Sequence, residues 1–128
     1  MSILKVNDIE DLNGDPLVPL SGVMAWARVN GLTTGGTNRL LSGSNVSTVT
    51  RTGVGRYTVS FTTSLPNNNY AAITTAELVG GGTLQSAYTI TVTSRSTSTI
   101  DIGTTYDLGV QNQPVDNVNF SLVVIGLI

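Results

Sequence analysis

The side chains in this chain that are able to do acid–base or ligand chemistry are few. Of 128 residues, none is His and none is Cys. That removes the commonest general base, the commonest transition-metal ligand and the thiolate nucleophile. No Ser-His-Asp or Cys-His set exists for covalent catalysis. Carboxylate chemistry is what remains. A glycoside hydrolase holds two carboxyl groups about 5–10 Å apart, and Asp101 with Glu77 or Asp107 is the pair to consider. Asp101 sits in a threonine-rich stretch, where a solvated surface carboxylate is the usual reading. The chain is therefore expected not to be an enzyme.

Metal and phosphate chemistry fare no better. Asp8, Glu10 and Asp15, with Asn7 and Asn13, gather oxygen atoms, but the D-x-D-x-D-G spacing of a calcium loop is absent. A solvated acidic stretch accounts for them, and no metal or cofactor is expected. Gly53-Val54-Gly55 is too short for a phosphate loop, and no helix signal follows it. Asn45-Val46-Ser47 and Asn119-Phe120-Ser121 match the glycosylation pattern, yet both fall in expected strands and read as chance matches. Recognition is the remaining chemistry. Asn67, Asn68, Asn69, Tyr70, Tyr106 and Gln111–Gln113 offer the amides and aromatic faces that hold sugars. Asn is also a turn former in its own right, so ordinary turn and rim roles fit the same residues.

The elements that must position these groups are strands. Arg51–Ala72 organises the rest: Tyr57, Val59 and Phe61 fall on one face, and Arg56, Thr58, Ser60 and Thr62 on the other. Gly53 and Gly55 supply a turn before it, Pro66 and Asn67–Asn69 end it, and Tyr70 opens a second strand, so the stretch reads as one hairpin-like unit. Gly22–Gly31 is a further strand, with Val23, Ala25, Ala27 and Val29 on one face and Met24, Trp26 and Arg28 on the other. Both of its faces carry apolar groups, so both are expected to be covered by protein. Trp26, the single tryptophan, reads as a core or interface filler rather than a ligand platform.

Arg39–Leu41 reads as a short strand. Ser44–Arg51 is a strand whose Val46 and Val49 break the alternation, which fits a bulge. Strands are also expected at Ala71–Ala76, Tyr88–Thr93 and Thr99–Ile102, and Gly103–Asn117 as the longest irregular stretch. Val118–Ile128 closes the chain with Phe120, Leu122 and Val124 on one face and Val123, Ile125 and Leu127 on the other. A terminal strand apolar on both faces belongs at the centre of a sheet or at a subunit contact. No stretch of helical length carries an apolar period of 3.6. The expected fold is all-β, an antiparallel β-sandwich or jelly-roll-like knob with an extended N-terminal arm.

Charge divides the chain in the same way. Residues 1–20 hold one lysine and four acids, a net −3, while the remainder holds five arginines and four acids, a net +1. Residues 1–20 are read as an anchoring arm, with Leu4, Val6, Ile9, Leu12 and Leu17 as its contact side chains, and residues 21–128 as the knob. Charged residues make up 11% of the chain, against roughly 25% in ordinary soluble domains. Scattered arginines with one lysine do not make a phosphate-binding track, so nucleic acid is not an expected partner. No stretch reaches the ~18 apolar residues of a membrane helix, and residues 1–20 lack the basic start and apolar run of a signal peptide. No membrane partner is expected.

The central unit resembles a module of bacteriophage tail-fibre and virion-appendage proteins. The matching residues are Ala25-Trp26 with Asn30-Gly31, then Asn45-Val46-Ser47, Val49-Thr50, Gly53, Gly55, Tyr57-Thr58-Val59, Phe61, Thr62-Thr63, Pro66 and Tyr70-Ala71. Leu4-Lys5-Val6-Asn7 with Asp8-Ile9 is similar to the start of such proteins in phages of cyanobacteria and marine bacteria. The resemblance covers roughly residues 2–8 and 22–72; residues 73–128 share only β character. It implies a structural virion protein without enzyme activity, usually a homotrimer, made in the host bacterial cytoplasm. The expected subunit contact is built from Trp26, Phe120, Leu122, Val123, Ile125 and Leu127. No fibre shaft is present: no coiled coil, collagen repeat or repeated β-module. That favours a capsid decoration or cement protein held to a capsid or tail protein by residues 1–20. The alternatives are a tail-fibre or receptor-binding tip that recognises a host surface glycan, and a free carbohydrate-binding lectin.

Overall fold

The computed structural model describes residue 13 and residues 21–32, 36–78, 88–107, 112–115 and 118–127. Among these residues nine strands follow one another: β1 (Ser21–Val29), β2 (Leu40–Ser44), β3 (Val46–Gly53), β4 (Arg56–Phe61), β5 (Ala71–Leu78), β6 (Tyr88–Arg95), β7 (Thr99–Asp107), β8 (Asn112–Pro114) and β9 (Val118–Leu127). Among the described residues there is no helix. One sheet has the order β2-β1-β9-β5 and the other β3-β4-β7-β6, with β8 paired to the end of β7. Every pairing is antiparallel. The expected all-β sandwich is what forms. The arm, apart from Asn13, lies outside the described residues.

Alternation explains the layering. β1 turns Ala25, Ala27 and Val29 inward, and β9 does so with Phe120, Leu122 and Val124. The second sheet answers with Val49, Tyr57, Val59, Phe61, Ile100 and Ile102. The Tyr57 ring, from β4, meets the Phe120 ring, from β9, edge to face at 5.3 Å and 65°, a geometry that adds to the area both rings bury. The Tyr57 hydroxyl donates to the Gly31 carbonyl at 3.3 Å, which satisfies its polar end inside the core. Gly31 itself leaves no room for a side chain, because a Cβ there would fall 1.8 Å from the Val118 carbonyl oxygen.

The corners of the sandwich are fixed by side chains. Asn45 carries the chain from β2 to β3 in one residue at φ 55°, a left-handed conformation that Asn tolerates better than most residues. Its amide nitrogen donates to the Met24 and Thr63 carbonyls, both at 3.1 Å, and its oxygen accepts from the Thr63 amide at 2.8 Å. Arg39 is buried and donates to the carbonyls of Gly36 and Leu32. Beside it, the Val49 amide donates to the Asn38 side chain and the Val49 carbonyl accepts from the Arg39 amide, which closes part of the β3 edge against further strand pairing.

Several expectations need correction. Arg51–Ala72 is not one hairpin. β4 pairs with β3 and β7, whereas the strand after Tyr70 pairs with β9 in the other sheet. The stretch is the crossover between sheets. Its turn is Val54-Gly55, with Gly55 at φ +63°. In β1 the register shifts between Val23 and Ala25, so Val23 joins the Trp26 face and Met24 packs against the core. Gly126 makes room for it, since a Cβ there would lie 2.7 Å from the Met24 sulfur. The expected strand at Arg39–Leu41 begins one residue later and runs on to Ser44. Part of the expected irregular stretch is strand: β7 continues to Asp107, and β8 follows. The bulge expected in β3 is present, as a register shift between Val46 and Thr48.

Candidate functional site

The face of the β2-β1-β9-β5 sheet turned away from the core is the candidate interaction surface. Its register places side chains in rows across the strands. One row runs Ser44, Trp26, Val123, Ile73, and the next runs Val23, Ile125, Ala71. Trp26 is 40% exposed, Val23 59% and Ile73 54%, while Val123 and Ile125 are half-buried by their neighbours. Isolated exposed apolar residues need no explanation, but a contiguous patch of several hundred Å² on one face does. Covering about 300 Å² of it would contribute about 7.5 kcal/mol at 25 cal/mol per Å², a useful part of an association once the costs of binding are met.

Polar groups border this patch. Arg28 and Glu77 face one another across β9. The Arg28 Nη2 donates to the Glu77 Oε1 at 2.9 Å and to Oε2 at 3.1 Å, and Nε donates to Oε2 at 3.3 Å. Both side chains are about half exposed, so the pair stabilises the fold little. It does leave this end of the face without net charge. Ser42, Ser121 and Thr75 line up on the same side of the sheet as Arg28.

The other residues singled out in the sequence go to different places. Phe120 and Leu122 are fully buried in the chain's own core, which corrects their assignment to a subunit contact. A strand apolar on both faces has one face for its own domain, and here that is the even-numbered one. Val123 and Ile125 lie on the opposite face, and the register of β1 with β9 puts Trp26 beside them. Leu127 pairs with Ser21 in the ladder, and its side chain is outside the described residues. Leu4, Val6, Ile9, Leu12 and Leu17 are also outside them. Ile73 and the Arg28–Glu77 pair were missed. Ile73 sits in the bland stretch AAITTA, and nothing local says which face of that strand is covered. The two ion-pair partners lie 49 residues apart.

Tyr70 is not a loop-borne sugar platform. It is buried against Phe61, with ring centroids 6.1 Å apart at 87°, and its hydroxyl donates to the Ser96 carbonyl at 3.0 Å. The Arg95 guanidinium lies 5.3 Å from its ring centre. Burial pushes the Tyr70 phenol above its ordinary range, and the Arg95 charge and the Ser96 contact oppose that shift. Asn67, Asn68 and Asn69 remain exposed, with the Asn67 side-chain oxygen accepting from the Asn69 amide at 2.8 Å in an Asx-type turn. Tyr106 is in β7, and its side chain is not among those described, nor is that of Asp107.

The carboxylate pair considered for glycoside hydrolysis does not form from Asp101 and Glu77. Asp101 lies on the outer face of the second sheet, accepting from the Thr58 and Ser94 hydroxyls at 2.7 Å each. Glu77 is on the outer face of the first sheet, with the whole core between them. Among the described residues, no three acidic, His or Cys side chains are grouped to hold a metal. Both glycosylation-pattern asparagines serve the fold: Asn45 as above, and Asn119 by accepting from the Gly31 amide at 2.9 Å. No protein-family model, curated protein or solved structure matches this chain.

Proposed function

We propose that this chain is a non-enzymatic structural protein of a bacteriophage virion, a homotrimeric β-knob attached to the particle by residues 1–20 and serving as a capsid decoration or cement protein. The observation that carries the reading is the exposed apolar face around Trp26, Ile73 and Val123. A sandwich that has already filled its core with Phe120, Leu122 and Tyr57 keeps a second apolar surface only where something else covers it. The resemblance adds the setting. Its motif residues Tyr57, Val59, Phe61 and Gly55 build the core and the β3–β4 turn, so they speak for the module, while Trp26 speaks for its assembly.

The test is calorimetry of bare phage capsids with and without the purified protein. A cement protein binds the folded shell and raises its unfolding temperature by linkage. Unchanged unfolding, with no protein retained on the particles after sedimentation, would exclude that role. The exposed Asn67–Asn69 turn favours a second reading, a tail-fibre or receptor-binding tip for a host surface glycan. Adsorption of the protein to host cells and competition with infection would put that reading first. Binding to a glycan array without any particle would point to a free lectin instead.

A further inference from the structure

We propose that copies of this chain meet one another through the outer face of the β2-β1-β9-β5 sheet, with the β1–β9 pair nearest the symmetry axis. This contact presupposes the self-assembling module proposed above, and it names the surface. Three observations point to another copy as the occupant. The face has the anatomy of a protein interface: an aromatic side chain, Trp26, among Val23, Val123, Ile125 and Ile73, no charge within the patch, and a border of Ser44, Ser42, Thr75 and Ser121. The charges at its end, Arg28 and Glu77, neutralise one another within each copy, so like faces approach without repulsion. A strongly charged partner would find nothing to complement.

The size also fits. Four strands about 4.8 Å apart and about eight residues long, at about 3.4 Å each, give a face of roughly 500 Å² in projection. Stable interfaces bury roughly 800 Å² per partner, the same order of size. Placing β1 and β9 nearest the axis brings Trp26 and Val123 of each copy toward the others. Ile73 on β5 and Ser44 on β2 then lie further out. Among the described residues, the outer face of the other sheet carries no such patch.

Light scattering after gel filtration tests this first. The intact chain should run at about three times 13.4 kDa. Trp26→Glu and Val123→Glu should each drop to the mass of one copy with an unchanged far-UV spectrum, because both side chains point away from the core. Thr91→Glu, on the other sheet, should leave the mass as it was. A second test does not depend on tolerating a charge. The chain has no Cys, so Val123→Cys should give an inter-chain disulfide under mild oxidation, and Thr91→Cys should give none. A monomeric intact chain, or an assembly that survives Trp26→Glu and does not cross-link through Val123→Cys, overturns the proposal. The virion reading fails separately: assembled protein that never binds particles counts against it and leaves this contact standing.

Discussion

The outer face of the first sheet shows Val23, Trp26, Ile73, Val123 and Ile125, whereas that of the second shows Thr48, Thr50, Thr58, Ser60, Thr91 and Asp101. Both are faces of antiparallel sheets over the same core, and both follow the same period of two. They differ in how they end their contacts. On the second sheet polar groups pair with one another: Asp101 takes up the Thr58 and Ser94 hydroxyls, and the Ser47 hydroxyl donates to the Ser60 carbonyl. That face is complete in water. The first sheet closes its rim with the Arg28–Glu77 pair but leaves the middle apolar. One side of the sandwich is finished as a polar surface; the other keeps an apolar middle, the part proposed above to meet a second copy.

β9 carries a face of each kind, one turned into the core and one turned outward. Phe120→Ala removes a fully buried ring that meets Tyr57 of the other sheet and should destabilise the folded chain by about 3–5 kcal/mol. Val123→Ala, on the face turned outward, should cost the isolated fold under about 1 kcal/mol. Urea unfolding of the two variants measures this directly, and similar losses would mean that β9 faces are not divided as described.

Tyr70 sits where the chain has just crossed from the second sheet to the first, and it gives an alkaline handle on that corner. Its phenol is held above the usual value of about 10 by burial. The folded state therefore keeps this proton longer than the unfolded one does. The corresponding stability is complete below about pH 10 and is lost as pH rises through the folded-state value. Tyr70→Phe should reduce the fall in urea midpoint between about pH 9 and about pH 11, because this group no longer contributes. An equal fall in both proteins would place the alkaline sensitivity elsewhere.

The smaller effects sharpen the contrast between the faces. Asp101→Ala frees two hydroxyls on the polar face and should cost about 1 kcal/mol, with no change in assembly. Arg28→Ala should cost at most about 1 kcal/mol of folding stability, since the pair is exposed. It leaves Glu77 uncompensated at the rim, so its larger effect should be weaker association, seen as a lower mass at a given concentration. Were Asp101→Ala to dissociate the assembly and Arg28→Ala not, the two faces would have to exchange roles.

Much of the sandwich was legible from local pattern. Tyr57, Val59 and Phe61 alternate with polar residues, and their strand formed where the alternation put it. Val46 and Val49 broke the period, and a bulge lies between them. Trp26 on one strand and Val123 and Ile125 on another read as separate contact candidates; that they share one face follows only from the β1–β9 register. Phe120 and Leu122 were not separable from them, because β9 is apolar on both faces and a period of two has no sign. Tyr70 looked like a loop aromatic because it follows three asparagines. What buries it is Phe61 and Arg95, which no local pattern connects to it.

Local pattern along the chain was enough for the class of structure. Short β-branched runs with turn residues between them make strands, and the absence of His and Cys removes imidazole and thiolate from the side chains available. The sign of each alternation was decided only in three dimensions. The register shift between Val23 and Ala25 moved Val23 outward and Met24 inward, and the pairing of β9 with both β1 and β5 assembled Trp26, Val123 and Ile73 into one patch. The physical reason is that each strand presents two faces of nearly equal local merit. Burial against residues distant in the chain chooses between them, because only the whole core decides which apolar side chains lose their water.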